Sequence, residues 1–391
     1  MVGIQKTANR ESELKSLVAL TSIKRIGTKR IYQLKKLAGS VPDIFNLSYE
    51  QITSIYGIGQ GIADNILQFD QWDEVDKIIK RTYELGASII TQRDDCYPPL
   101  LKHIYDPPLI LWILGNKQAL MDDALAVVGT RSCSSYGKKS AAMLVKDLVD
   151  QNITIVSGLA YGIDTIAHKT TVEQGSKTVA VLGSGIDVIY PGTNRKLAER
   201  IIEHDGAIIS EFTLGTKPDA PNFPVRNRIV SGMTMGTLVV ESGLKGGSMI
   251  TINSALSQNR EVFAVPHPLG GNNSDGCNTL IRDGMAKLVI GAEDILNEIT
   301  HLRSFSVEEQ ETGGIDNRVE TKQKAAKWER ADLSEKQELI CKQLEQKETP
   351  MHIDDLAEQL ESPTSALMAD LLSLEMMECI EQRAGKYFTL L

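Results

Sequence analysis

Phe223-Pro-Val-Arg226-Asn-Arg228, followed by Leu238-Val-Val-Glu-Ser-Gly-Leu-Lys-Gly-Gly-Ser248 and Glu261-Val-Phe-Ala-Val-Pro266, is the stretch on which the fold turns. Its two apolar, β-branched runs each read as a buried parallel strand. With them come a basic triplet and Gly246-Gly247-Ser248, a turn that opens a helix. In an open α/β sheet, loops leaving the strands' carboxyl ends lie beside helix N-termini, where unpaired N–H groups and the macrodipole favour phosphate. Arg226 and Arg228 add forked donors matched to phosphate oxygens. An isolated arginine is ordinarily a surface ion pair, but four further loops of this kind on neighbouring strands shift the reading toward anion binding.

Working outward, the same alternation recurs. Strands are expected at 88–93, 109–115, 124–129, 153–158, 178–183, 207–212, 237–241 and 261–265, most of them separated by helical patterns. Such spacing implies βαβ units and a parallel sheet covered on both faces, a Rossmann-like domain over 86–300. Prolines at 98–99 and 107–108 keep the segment between the first two strands out of a helix interior.

Residues 1–85 read as short helices. Leu20 to Leu34 and Ile52 to Ile66 share a helix, glycine turn, helix pattern, so a helix-hairpin-helix (SAM-like) domain is expected, with Lys24, Arg25, Lys29 and Arg30 around the first turn. In such hairpins turn amides can hold a DNA phosphate, or the pair can serve as packing alone. Residues 301–333 mix charges with Gly313-Gly314 and read as a flexible linker. Residues 334–391 read as three helices and a hairpin turning at Ala384-Gly385, a winged helix.

The net charge of −9 argues against sequence-blind binding of polyanions by the whole surface but permits a local basic patch. The acid excess is concentrated at the C-terminal end, with 5 basic against 12 acidic side chains over 334–391. No apolar run approaches the roughly 18 residues of a membrane span, and Met1-Val-Gly-Ile-Gln-Lys6 has no signal-like apolar region, so a cytoplasmic protein without a membrane partner is expected. Five scattered cysteines without metal-ligand spacing imply reduced thiols and no metal.

The chemistry is expected at successive strand ends: Gly129, Thr130 and Arg131; Ser157 and Gly158; Gly183-Ser-Gly185; and Lys245 with Ser248. Glycine lets backbone approach a ligand, and hydroxyls add donors. The chain has no G-x-x-x-x-G-K-[ST], and its first βα turn lacks G-x-G-x-x-G, so neither ATP hydrolysis nor a dinucleotide cofactor is indicated. His168 reads as a packed histidine, Asp164 as a cap, and Cys133 beside Arg131 has no base, which leaves no catalytic constellation.

At these residues the chain resembles the bacterial DNA-processing proteins of the DprA (Smf) type. The resemblance runs over roughly 88–291: Val128-Gly-Thr-Arg131, Val156-Ser-Gly-Leu-Ala160 with Gly162-Ile-Asp164, Tyr190-Pro191 with Asn194, Phe223-Pro224 with Arg226-Asn-Arg228, Ala264-Val-Pro266, and Gly276-Cys-Asn278. It implies a non-enzymatic binder of single-stranded DNA that protects incoming strands in natural transformation, loads the RecA recombinase and dimerises through the Rossmann-like domain. Carried over by position, it implies DNA contacts at Gly129, Thr130, Arg131, Lys196, Phe223, Arg226, Asn227 and Arg228. The family's Ser-Gly-Ser turn is Gly246-Gly247-Ser248 here, and its Val-Pro-Gly is Val265-Pro266-His267.

Two rivals remain. One is a nucleoside-monophosphate phosphoribohydrolase of the lysine-decarboxylase-like group, whose Pro-Gly-Gly-x-Gly-Thr-x-x-Glu is half echoed by Gly232 to Glu241. The other is a protein scaffold with negligible DNA affinity.

Overall fold

The apolar runs become a nine-stranded sheet in the computed structural model, which describes residues 2–23, 26–269, 275–299, 333–345, 351–360, 362, 364–377, 379–383 and 387–390. The strands are β1 (Ser88–Thr91), β2 (Ile110–Gly115), β3 (Ala124–Val128), β4 (Thr154–Ser157), β5 (Thr178–Val181), β6 (Ala207–Ser210), β7 (Gly236–Val239), β8 (Glu261–Ala264) and β9 (Lys287–Leu288). Their order is β1-β2-β6-β5-β4-β3-β7-β8-β9. Every pairing from β6 through β9 is parallel, and β3, β4, β5, β6 and β7 are buried throughout because helices cover both faces. β1 and β2 are instead antiparallel, β1 to β2 and β2 to β6. Between β1 and β2 the chain holds no α-helix, only the short 3-10 turn Leu100–His103, so there is no helical crossover of the kind that parallel neighbours need.

Helices α1 (Val2–Ser22), α2 (Gly27–Ala38), α3 (Tyr49–Thr53), α4 (Gln60–Leu67) and α5 (Trp72–Glu84) precede the sheet. α3 starts with a reciprocal capping box between Ser48 and Gln51. Leu20, Ile31, Leu34, Ile52 and Ile66 are fully buried, and they continue without a break into Ile89, Ile110, Trp112, Leu182 and Ile208 of the sheet region. The tandem and the sheet therefore share one apolar core. At the rim of this contact Arg93 reaches Glu13 at 2.6 Å, and Arg81 reaches Asp187 at 3.6 Å. Exposed pairs of this kind add little beside the apolar burial. Lys24 and Arg25, singled out in the first hairpin, lie outside the described residues, as do nearly all of 301–333.

The remaining helices of this unit are α6 (Ser135–Asp150), α7 (Ile163–Glu173), α8 (Arg195–Glu203), α9 (Asn222–Gly232), α10 (Gly247–Ser257) and α11 (Asp275–Arg282). Chain contacts separate Met1–Gln310 from a second unit, Glu311–Leu391. That second unit has helices Glu335–Glu345, Ile353–Gln359 and Thr364–Met376 and a small sheet ordered β10 (Met351–His352), β12 (Tyr387–Leu390), β11 (Ile380–Arg383). Ile340, Leu356, Leu371, Leu374, Ile380 and Phe388 close its core, making it a winged helix. The turn at Ala384-Gly385, with Lys386, lies outside the described residues.

Candidate nucleic-acid interface

Strand order reverses at β3, which pairs with β4 on one side and β7 on the other. At such a point the connections leave in opposite directions and open a crevice beyond the strands' carboxyl ends. Here that crevice is a cleft of about 900 Å³. It brings together Gly129, Thr130 and Arg131 after β3, Gly158 and Ala160 after β4, Tyr190 after β5, Phe223, Arg226 and Asn227 of α9, and Lys245 to Ser248 at the start of α10. The loops are tied to one another: Thr130 N–H donates to the Glu241 carbonyl at 2.7 Å, and Ile163 N–H to the Thr130 carbonyl at 3.3 Å.

Arg131 and Lys245 are exposed at the cleft. The Arg131 guanidinium stands 5.7 Å from the centroid of Phe223, whose ring lies 5.8 Å from that of Tyr190. Cation and aromatic faces thus share one wall, a combination suited to phosphate and base together. As the sequence implies, Gly246-Gly247-Ser248 opens α10, whose N-cap Gly246 has no side chain to bond the first amides. Ser248 is buried, its Oγ 2.7 Å from that of Ser242.

The N-terminus of α6 is occupied differently. Buried Glu241 accepts from Ser134 N–H at 2.9 Å and from Ser134 Oγ–H at 2.9 Å. A Cβ on Gly137 would stand 2.0 Å from Glu241 Oε2, so only glycine admits the carboxylate there. His267 places Nε2 2.7 Å from the Val240 carbonyl and packs edge-on against Tyr136.

Several expected contacts take other positions. The basic triplet lies inside α9 and not in a strand-end loop, because Pro224 falls in the first turn, where a helix needs no amide from it. Arg226 is buried beneath the cleft floor, with Nη1 donating to the Gly158 carbonyl at 2.7 Å and to the Val181 carbonyl. Burial brings its pKa down to about 10, and neighbouring Arg131 adds to the effect while Asp164 opposes it. A Cβ on Gly158 would come within 2.4 Å of that guanidinium. Arg228 leaves α9 on another side, buried between Glu211 and Asp106, the latter 3.1 Å from Nε, and it does not line the cleft. Ser157 is buried and donates to the Val127 carbonyl at 2.7 Å. Lys196 is exposed on α8, outside the cleft lining.

His168 is packed, with Nδ1 2.8 Å from Thr178 Oγ1, and burial brings its pKa down to about 3, with Arg226 acting in the same direction. It is neutral at any physiological pH. Asp164 caps a loop instead of its helix: Oδ2 accepts from Gly158 N–H at 3.1 Å and Ala160 N–H at 3.3 Å, and burial raises its pKa although Arg226 opposes this. Burial likewise raises the Cys133 thiol. Tyr190 was missed as a lining residue. Its place after a strand was legible, but its exposure depends on the loop's path.

Comparison with known proteins agrees with this layout. The model for DNA recombination-mediator protein A matches residues 88–300, that for the DprA winged helix domain matches 324–386, and that for a SAM-like helix-hairpin-helix tandem matches 17–69. DNA processing protein DprA of Streptococcus pneumoniae is 36% identical over 289 residues, spanning 70% of this chain and 99% of that protein. Protein Smf of Escherichia coli is 43% identical over 211 residues, 54% of this chain and 56% of that one. The X-ray structure of the Streptococcus pneumoniae protein superposes with a TM-score of 0.64 at 34% identity, covering 73% of this chain and 97% of that one. That of Helicobacter pylori DNA processing protein A, described for its single-stranded DNA binding mode, gives 0.50 at 28% identity over 55% and 96%. With its central domain, its winged helix and its helix-hairpin-helix tandem each matched, the chain belongs to the DNA recombination-mediator protein A (DprA/Smf) family.

Proposed function

We propose that the protein binds single-stranded DNA in the switch-point cleft. The observation that carries this reading is the joining of exposed Arg131 and Lys245 with the rings of Phe223 and Tyr190 and the uncapped amides of α10 in one crevice. Phosphates meet the two cations and the helix terminus, and a base stacks on Phe223. Gly129, Thr130, Gly158 and Asn227 shape the lining, while Arg226 holds two loops from below and supplies charge from beneath the floor. Arg228, Ser157 and Lys196 are not assigned to this contact.

On this reading the protein is a non-enzymatic mediator that protects incoming strands and passes them to a RecA-type recombinase during natural transformation in the cytoplasm. It acts as a homodimer through the Rossmann-like domain. Support for the dimer comes from β9, the end of the sheet among the described residues, beside which Met285, Leu288 and Ile290 are exposed. The single-stranded preference is tested by competition. A narrow crevice admits a flexible strand, and no helix lining it offers the basic face that major-groove reading requires. Oligo-dT is expected to displace a labelled single strand at concentrations at least tenfold below an equal-length duplex. Equal competition, or ribose release from AMP, would remove the reading.

The winged helix is assigned no duplex binding. Its helix Thr364–Met376 carries Asp370 and Glu375 and no cation, and acidic groups there repel phosphates. It serves a protein partner, and its acid excess disfavours a strand. Deleting residues 301–391 is therefore expected to leave single-strand affinity unchanged or to raise it, measured by fluorescence anisotropy. A large loss in a truncated chain that remains folded would assign the tail to DNA.

A further inference from the structure

Helix α9 is a wall between two clefts. Phe223, Arg226 and Asn227 line the switch point, while Asn222, Val225 and Arg228, spaced by three, line a second cleft of about 900 Å³. The other side of that second cleft is formed by the helix-hairpin-helix tandem, through the first turn of α2 and the Tyr56-Gly57 turn, and by the loop carrying Tyr105 and Asp106.

Two tyrosines in it are largely exposed, Tyr56 at 95% and Tyr105 at 82% relative exposure, and Lys29 Nζ donates to the Tyr105 hydroxyl. A large ring left in water adds little to folding, and rings presented this way mark recognition surfaces. Lys29 Nζ lies 4.8 Å from the Tyr105 ring centroid. Three cationic side chains, Lys29, Arg30 and Arg228, line the cleft against two carboxylates, Asp106 and Glu211. Both carboxylates are bound by Arg228, and Lys29 stands on the tandem's side of the cleft.

We propose that this second cleft takes the same DNA strand as it leaves the switch point, with bases stacked on Tyr56 and Tyr105 and the backbone passing Lys29. The inference rests on the reading that the switch-point cleft binds single strands. Every base has a π face, so two tyrosines lengthen the site without adding sequence preference. The clefts are separated by one helix, about 10 Å across, which a single strand can cross.

The test compares oligo-dT of about 5 nucleotides with oligo-dT of about 20, lengths chosen to fall within and beyond a site of this type. Affinities are read by anisotropy on the full chain and on a Tyr56→Ala, Tyr105→Ala variant. Both rings are exposed, so the variant is expected to keep the native thermal transition. Its affinity for the long strand should fall about tenfold or more, with the short strand unchanged. Lys29→Gln should flatten the salt dependence for the long strand alone, by about 0.7 in the log–log slope. Unchanged long-strand affinity, or equal loss at both lengths, overturns the second cleft while leaving the first in place. Failure of the native chain to bind either length overturns both.

Discussion

Replacing Arg226 by alanine is expected to lower the unfolding free energy by about 3–5 kcal/mol, the cost of leaving a buried charge without its compensating partner. The side chain is buried, and its Nη1 is the donor that joins the Gly158 carbonyl after β4 to the Val181 carbonyl at the end of β5. Without it two carbonyls lose their partner, each loss costing about 1–3 kcal/mol, and Asp164 keeps a buried carboxyl whose nearest opposing charge is gone. Arg226→Lys should recover only part of this, since an ammonium lacks the planar fork that spans two acceptors. The shift in urea midpoint at unchanged slope measures the effect. DNA binding should fall in step with the folded fraction and no faster than the loss of one charge allows. An Arg226→Ala protein as stable as the native one would show that the guanidinium is free to face a ligand.

The opposite profile is expected for Arg131→Ala combined with Lys245→Ala. Both side chains are exposed, so the unfolding free energy should stay within about 0.5 kcal/mol of the native value. Binding should change strongly. If each cation neutralises one phosphate, the slope of log affinity against log salt flattens by about 1.4, which at 0.1 M salt amounts to a loss of about 25-fold. The loss should be alike for all base compositions, because backbone contacts position a strand without reading it. Native affinity in the folded double variant would move the phosphate contacts elsewhere.

The contrast between these two arginines shows where the sequence could be read and where it could not. Strand positions were legible because a parallel sheet buried on both faces demands continuous apolar runs, as in Ala124–Val128 and Gly236–Val239. The convergence of the loops followed, since strand order alone places the ends of β3 and β7 together. Burial depth did not follow. Arg226 and Arg228 are two residues apart on one helix, so about 200° of rotation separates them. One reaches under the cleft, and the other meets Glu211 beyond β6, a partnership that exists only once α9 has packed. Pro224 also hid the helix, since a proline in a first turn resembles a breaker until the turn's position is known. The shared core of tandem and sheet was hidden for a related reason: apolar faces show in a sequence, but their partners do not.

Glu241 bears on the life of such a protein among small metabolites. In doubly wound sheets the helix N-terminus at the switch point is where a nucleotide's pyrophosphate customarily rests. In this chain that seat already holds an internal carboxylate, fixed by Ser134 and admitted by Gly137. The anion is covalently part of the chain, so it is present at a fixed effective concentration and cannot be diluted away. The start of α10, a few residues after Glu241, has no side-chain cap. The fold thus separates that seat from the cleft proposed for the strand, and free nucleotides meet the Glu241 carboxyl group where the same architecture elsewhere would welcome them.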